Sequence, residues 1–381
     1  MNNFVIITGI FDGNPYENNE DVNLNTNKRY RNTDKYISLF KYIYDLNIPT
    51  ILYIESKNIN KIKPRDNLII IEKNIEDLIN YKKIHDLEYK LNNIIYGNSY
   101  KYSAIVTSKF NLLEESKNYI INNNKKWESK HLIWLDSGIA HNRTILKNKF
   151  IKHINLHIND KIILNMLSAT SKNEIINIDN FLSHDRLKLA GGLIICPWDK
   201  ISWIYNKMNK LFDYSIYNIK KLCLEEQLLP IISTKYPNNF DYIYGEYSIL
   251  ENLKYITNGI NMVIKNLQYC RINSIYDIGM KILNKILISI YNNNNKINKI
   301  QMCEILYEGQ IISYYTNIEL SKNLGFMIHY MYHNISYCKD ILNKYNIKDN
   351  LKFININILD KNDGLNNILE SDLSRYLWII L

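Results

Sequence analysis

Glycine and proline are scarce in this chain, 12 and 6 among 381 residues. Cysteine is scarce too, and its five positions (Cys196, Cys223, Cys270, Cys303 and Cys338) are far apart, with no Cys-x-x-Cys pair. That spacing argues against a disulfide framework and against a zinc site. No Gly-x-x-x-x-Gly-Lys-Ser/Thr loop and no Gly-x-Gly-x-x-Gly occurs, so the P-loop and dinucleotide-binding readings lack their signatures. No Gly-x-Ser-x-Gly elbow supports a serine hydrolase. No apolar run reaches the length of a membrane span. Met1 to Thr8 has neither the basic region nor the apolar length of a signal peptide. A reduced, cytoplasmic setting is the expectation.

Asn, Ile, Lys and 31 Tyr are abundant. These residues share AT-rich codons, so the bias reads first as a genome signature, of a large DNA virus or an AT-rich microbe. Hydrophobic content of 46% allows sizeable cores. The formal charge is +9, which raises nucleic-acid binding as a class. The lysines are scattered, however, and runs such as Lys125-Lys126 are short. A solvated surface is the plainer reading, and no nucleic-acid partner is expected.

Phe4 to Ile10 is a short β-branched apolar run closed by Asp12-Gly13, the pattern of a buried strand. A polar loop follows, and then a helix whose apolar side includes Tyr36, Ile37, Phe40 and Ile43. Thr50 to Glu55 and Asn67 to Glu72 read as strands, 75–92 and 102–119 as largely helical. His131 to Leu135 is another strand, Lys161 to Met166 an apolar run, and Leu189 to Cys196 a strand with two adjacent glycines. A helix over 199–212 follows, and Glu225-Glu226-Gln227 lies in a helical segment that Pro230 should end or kink. Strands alternating with helices predict an α/β fold, a mainly parallel sheet flanked by helices. After a soft boundary near residue 250 the chain reads as successive helices. The expected division is 1–250, an α/β domain, and 251–381, a helical C-terminal region that serves closure or self-association.

The most informative stretch is His131-Leu132-Ile133-Trp134-Leu135-Asp136-Ser137-Gly138. An apolar strand ends abruptly in a carboxylate, a hydroxyl and a glycine, delivering one acid to the edge where open α/β sheets bind ligands. Such a carboxylate can hold a hard divalent cation, which can in turn hold a diphosphate. Gly138 lets a ligand approach the backbone. The plainer reading is an Asp capping the turn after the strand.

The order of Asp12, Arg31 before a Tyr-Ile-x-x-Phe helix, Ser108-Lys109-Phe110-x-Leu-Leu, Trp134-Leu135-Asp136-Ser137-Gly138-Ile139, and Gly191-Gly192 before Glu226-Gln227 resembles the HtrL/YibB family. That family includes WlaTC-type proteins and is regarded as a group of glycosyltransferases. The similarity covers roughly the first 260 residues. It implies a GT-A-like fold and a metal-dependent glycosyltransferase, with Mn²⁺ or Mg²⁺ and a nucleotide-sugar donor, a UDP-sugar foremost. The partners would be that donor and a glycan or protein acceptor, and self-association would give a homodimer.

By that resemblance Asp136 stands where a GT-A enzyme carries its metal-binding Asp-x-Asp, although Gly138 occupies the third position. One carboxylate cannot supply the roughly six oxygen ligands such ions prefer. His329 and His333 share one face if helical, and His333 would add a metal ligand; two semi-buried ring side chains are the plainer reading. Glu226 would be the catalytic carboxylate facing the acceptor, the alternative being a surface helix charge. Thr8, Gly9 and Asp12 would hold the nucleotide, and Arg31 and Lys109 would neutralise its diphosphate. Ser137, Gly138, Gly191, Gly192 and Gln227 complete the donor-binding set. Glu246 is a candidate sugar contact or a plain turn carboxylate. The competing class is a non-catalytic glycan- or partner-binding protein on a transferase-derived fold.

Overall fold

A computed structural model describes residues 4–13, 33–87, 100–123, 127, 129–139, 150–151, 154–155, 158–184, 188–244, 256–293, 299–316 and 324. The chain divides into two compact units: residues 1–166 with 172–253, and residues 167–171 with 254–381.

The first unit is α/β, as expected. Its strands are β1 (Phe4–Ile10), β2 (Thr50–Ile54), β3 (Leu68–Glu72), β4 (His131–Leu135), β5 (Ile162–Met166), β6 (Leu189–Pro197) and β7 (Phe240–Tyr244). They form one seven-stranded sheet in the order β3-β2-β1-β4-β6-β5-β7. β1 runs parallel to β2 and β4, β2 parallel to β3, and β5 parallel to β7. β6 is antiparallel to both of its neighbours. The sheet is therefore mainly parallel with one reversed strand. β2, β4, β5 and β6 are buried along their whole length, which is why they read as continuous apolar runs rather than alternating ones. Burying each such Ile, Leu or Phe side chain contributes roughly 1.5–3 kcal/mol.

The helices are α1 (Thr33–Tyr44), α2 (Ile79–His85), α3 (Tyr100–Thr107), α4 (Lys109–Asn122), α5 (Ile178–Ser183), α6 (Ile201–Tyr217) and α7 (Glu225–Lys235). α1 buries Leu39, Phe40 and Ile43; of the stripe read from the sequence, Phe40 and Ile43 are buried and Tyr36 and Ile37 are half-buried. The segment 102–119 is largely helical, as expected, and is built from parts of two helices separated at Ser108. Thr107 donates its hydroxyl to the Ser103 carbonyl at 2.6 Å, a back-bond that perturbs the helical ladder at this point. Pro230 does not end its helix: α7 runs through it to Lys235. Pro230 is buried with Leu228, Leu229, Ile231 and Ile232, so packing compensates the lost backbone bond. β7 was not anticipated at all.

The reversal of β6 positions the site. Leu135 pairs with Leu193, and the Asp136 N–H continues the ladder to the Gly192 carbonyl at 2.9 Å. The carboxyl ends of β1 and β4 and the amino end of β6 therefore share one edge of the sheet.

The second unit contains α8 (Ile256–Ile272), α9 (Tyr276–Asn293) and α10 (Lys299–Tyr314). Gly309 on α10 gives α9 room: a Cβ there would lie 2.6 Å from Leu283 Cδ1. Arg271 pairs with the buried Glu308 carboxylate at 2.6 Å. Asn266 holds the 167–171 strip, accepting the Ala169 N–H at 2.7 Å and donating to the Leu167 carbonyl at 3.0 Å. Among the described residues, no helix is long and apolar enough to cross a membrane.

Candidate active site

The residues that meet at the sheet edge are Asp136 after β4, Lys109 opening α4, Glu225 and Glu226 opening α7, and Gly191 in β6. Lys109 Nζ donates to Glu225 Oε1 at 2.6 Å and to the Gly191 carbonyl at 3.0 Å, and lies 3.1 Å from Asp136 Oδ1. The Lys109 and Glu225 side chains are each 3% exposed, whereas Asp136 is 38% exposed. Asp136 thus faces solvent, while the Lys109–Glu225 pair beside it does not. Trp134 fixes it, donating Nε1–H to Oδ1 at 2.6 Å. The Trp134 ring lies 5.8 Å from Lys109 Nζ, within cation–π range.

Burial raises the pKa of three acids here. Glu225 is pushed up to about 7 by desolvation, against the pull of Lys109. Glu226 is raised, again chiefly by desolvation, although Lys109 and the Gly191 N–H at 3.3 Å favour its charged form. The Tyr102 phenol is raised by desolvation and next by the Glu225 charge. Tyr102 had no role in the sequence reading. Its place beside Lys109 comes from how two helices meet at Ser108, which no local pattern in the sequence announces.

Other expected residues also make structural contacts. The missing side chain of Gly191 makes room for Glu225: a Cβ there would meet Oε1 at 2.0 Å. Gly9 likewise makes room for Phe11, whose ring would lie 2.7 Å from its Cβ. Its carbonyl accepts the Ser137 hydroxyl at 2.9 Å, which spends that hydroxyl on joining β1 to the turn after β4. Thr8 is fully buried, with a hydroxyl that has no partner. Gly138 is buried in that turn, and Gly192 lies in β6. Gln227 is consumed structurally, accepting the Leu224 N–H at 2.9 Å and donating to the His184 carbonyl at 3.1 Å. This is half of a capping box at the start of α7.

At the end of β1, Asp12 pairs with Lys57 at 3.2 Å and gives its backbone N–H to Glu55 Oε2 at 2.9 Å. Glu55, buried at the end of β2, is a second acid delivered by an apolar strand, and burial raises its pKa. The sequence reading saw it only as the strand's end. Arg31, Glu246, His329 and His333 lie outside the described residues.

Asp136 is the natural point to test for a divalent cation. One of its oxygens already accepts Trp134 and faces Lys109, and the other lies 3.4 Å from Lys109 Nζ. Gly138 replaces a second carboxylate. Among the described residues no group of three or more His, Cys, Asp or Glu side chains converges as a metal site. This donor set does not fit a resident Mn²⁺ or Mg²⁺.

No family model matches the chain, so the HtrL/YibB resemblance stays at the level of its motifs. L-lysine 2,3-aminomutase of Buchnera aphidicola subsp. Baizongia pistaciae (strain Bp) is 27% identical over 209 residues, 54% of this chain and 57% of that protein. The chain thus spans little more than half the length of this curated relative. Among solved structures, mouse xyloside xylosyltransferase 1 in its apo form aligns with a TM-score of 0.32 and 8% identity, over 63% of this chain and 84% of that one. The galactosyltransferase LgtC, in complex with donor and acceptor sugar analogues, aligns with a TM-score of 0.31 and 10% identity, over 62% and 72%. Superpositions at this level define no family.

Proposed function

We propose that the chain is a glycosyltransferase, moving a sugar from a nucleotide-sugar donor, a UDP-sugar foremost, to a glycan or protein acceptor. The observation that carries this reading is the meeting of Asp136, Glu226 and the Lys109–Glu225 pair at the carboxyl edge of a mainly parallel sheet, where such folds bind ligands. Asp136, fixed by Trp134 and open to solvent, contacts the donor sugar. The nucleotide lies toward the end of β1, at Asp12. Glu226 is the base, because a raised carboxyl pKa brings proton transfer closer to its optimum. The acceptor oxygen bonds to the anomeric carbon while its proton passes to Glu226. The bond from that carbon to the diphosphate oxygen breaks, and the nucleoside diphosphate leaves with the electron pair.

The test is thermal unfolding with UDP-, GDP-, CMP- and TDP-sugars. A ligand that binds only the folded chain stabilises it by about 2.7 kcal/mol at 100 times its Kd. One nucleotide class should raise Tm by several degrees, and Asp136→Ala should lose both that rise and transfer while remaining folded. Glu226→Gln should keep the rise and lose turnover. No rise with any class would overturn the donor site and favour a non-catalytic glycan- or partner-binding protein.

A further inference from the structure

The carboxylate cluster already holds a cation. Lys109 Nζ is surrounded by Glu225 Oε1 at 2.6 Å, the Gly191 carbonyl at 3.0 Å and Asp136 Oδ1 at 3.1 Å. Its side chain is 3% exposed, so it is not a surface lysine free to swing away. The surroundings are shaped to it. Gly191 omits the Cβ that would collide with Glu225, and Trp134 fixes the Asp136 oxygen that faces the ammonium. Both Asp136 oxygens lie within 3.4 Å of Nζ, so a metal bound there would have to compete with the lysine for its main ligand.

The geometry points to Lys109 as the resident cation of this cleft, occupying the place beside Asp136 that a divalent ion would otherwise take, so that the cleft does not depend on Mn²⁺ or Mg²⁺. Only the description of the ligand as a donor rests on the transferase reading. The competition for Asp136 rests on the residues alone. One consequence is distinctive: removing the ammonium leaves Asp136, Glu225 and Glu226 as uncompensated carboxylates, and such a cluster should acquire a divalent cation.

The experiment uses the full chain, without nucleotide, and millimolar Mn²⁺ or Mg²⁺ as the probe. Wild-type Tm should be unchanged by either ion. Lys109→Ala should gain several degrees with Mn²⁺, and Lys109→Ala combined with Asp136→Asn should lose that gain. Lys109→Gln, neutral and closer in shape, carries the same expectation if the alanine variant does not fold. Quenching of the free Mn²⁺ paramagnetic resonance signal gives a second readout, with at least roughly tenfold tighter binding by the lysine variant than by wild type. Mn²⁺ binding by wild type that Asp136→Asn abolishes would overturn the inference, as would lysine variants that gain no affinity. These readouts contain no sugar nucleotide. A failed donor screen would therefore leave them untouched, and a wild type that binds Mn²⁺ would leave the donor result standing.

Discussion

At the scale of single residues, the site is held by an exclusion as much as by attractions. Gly191 matters for the atom it lacks. Glu225 Oε1 occupies the space a Cβ would need, at 2.0 Å, so the carboxylate that Lys109 holds has to move. Losing a buried hydrogen bond to a charged group costs on the order of 1.5–3 kcal/mol. Gly191→Ala should therefore lower the urea midpoint by a destabilisation of about that size. Gly13→Ala is the control, since its Cβ would meet Ile105 at an ordinary 3.4 Å and surface-type changes stay within about 0.5 kcal/mol. Equal effects from the two substitutions would show that Gly191 is not a steric requirement. Asp136 was legible in the sequence because a buried strand ending in an acid is a local pattern. Lys109 was visible only through its motif. Nothing local separates it from the other 46 basic residues, because its burial depends on Glu225, 116 positions away.

Elements were more legible than the contacts between them. Strands buried on both faces leave unbroken apolar runs, and β1, β2, β4 and β6 fell close to where those runs lie. β7, with the sequence FDYIY, has no such run, and its place beside β5 comes from a pairing the sequence does not announce. Gln227 shows a contact that the sequence does not announce. The resemblance places it in the donor set, and in the fold its amide also closes the start of α7. Gln227→Ala should destabilise the fold by about 0.5–2 kcal/mol, the range for losing a helix N-terminal cap, and leave the donor-induced rise in Tm intact. An unchanged Tm together with a lost donor response would return Gln227 to the binding set.

For the molecule as a whole, the same burial that shapes the site sets how stability responds to pH. Glu225 titrates at about 7 in the folded chain against an ordinary value of 4.5. Glu226, Glu55 and Glu308 are shifted in the same direction, each chiefly by desolvation. Between the unfolded and folded values the native state binds the extra proton, so stability falls as pH rises. The contribution of Glu225 is fully present below about 4.5 and is lost as pH climbs through about 7. Tm should accordingly decline from about pH 5 to about pH 8, and Glu225→Gln, which keeps an oxygen for Lys109 but cannot titrate, should flatten that decline. A wild-type Tm that instead rises across this range would mean that Glu225 is held charged by Lys109, and that attraction rather than desolvation governs the cluster.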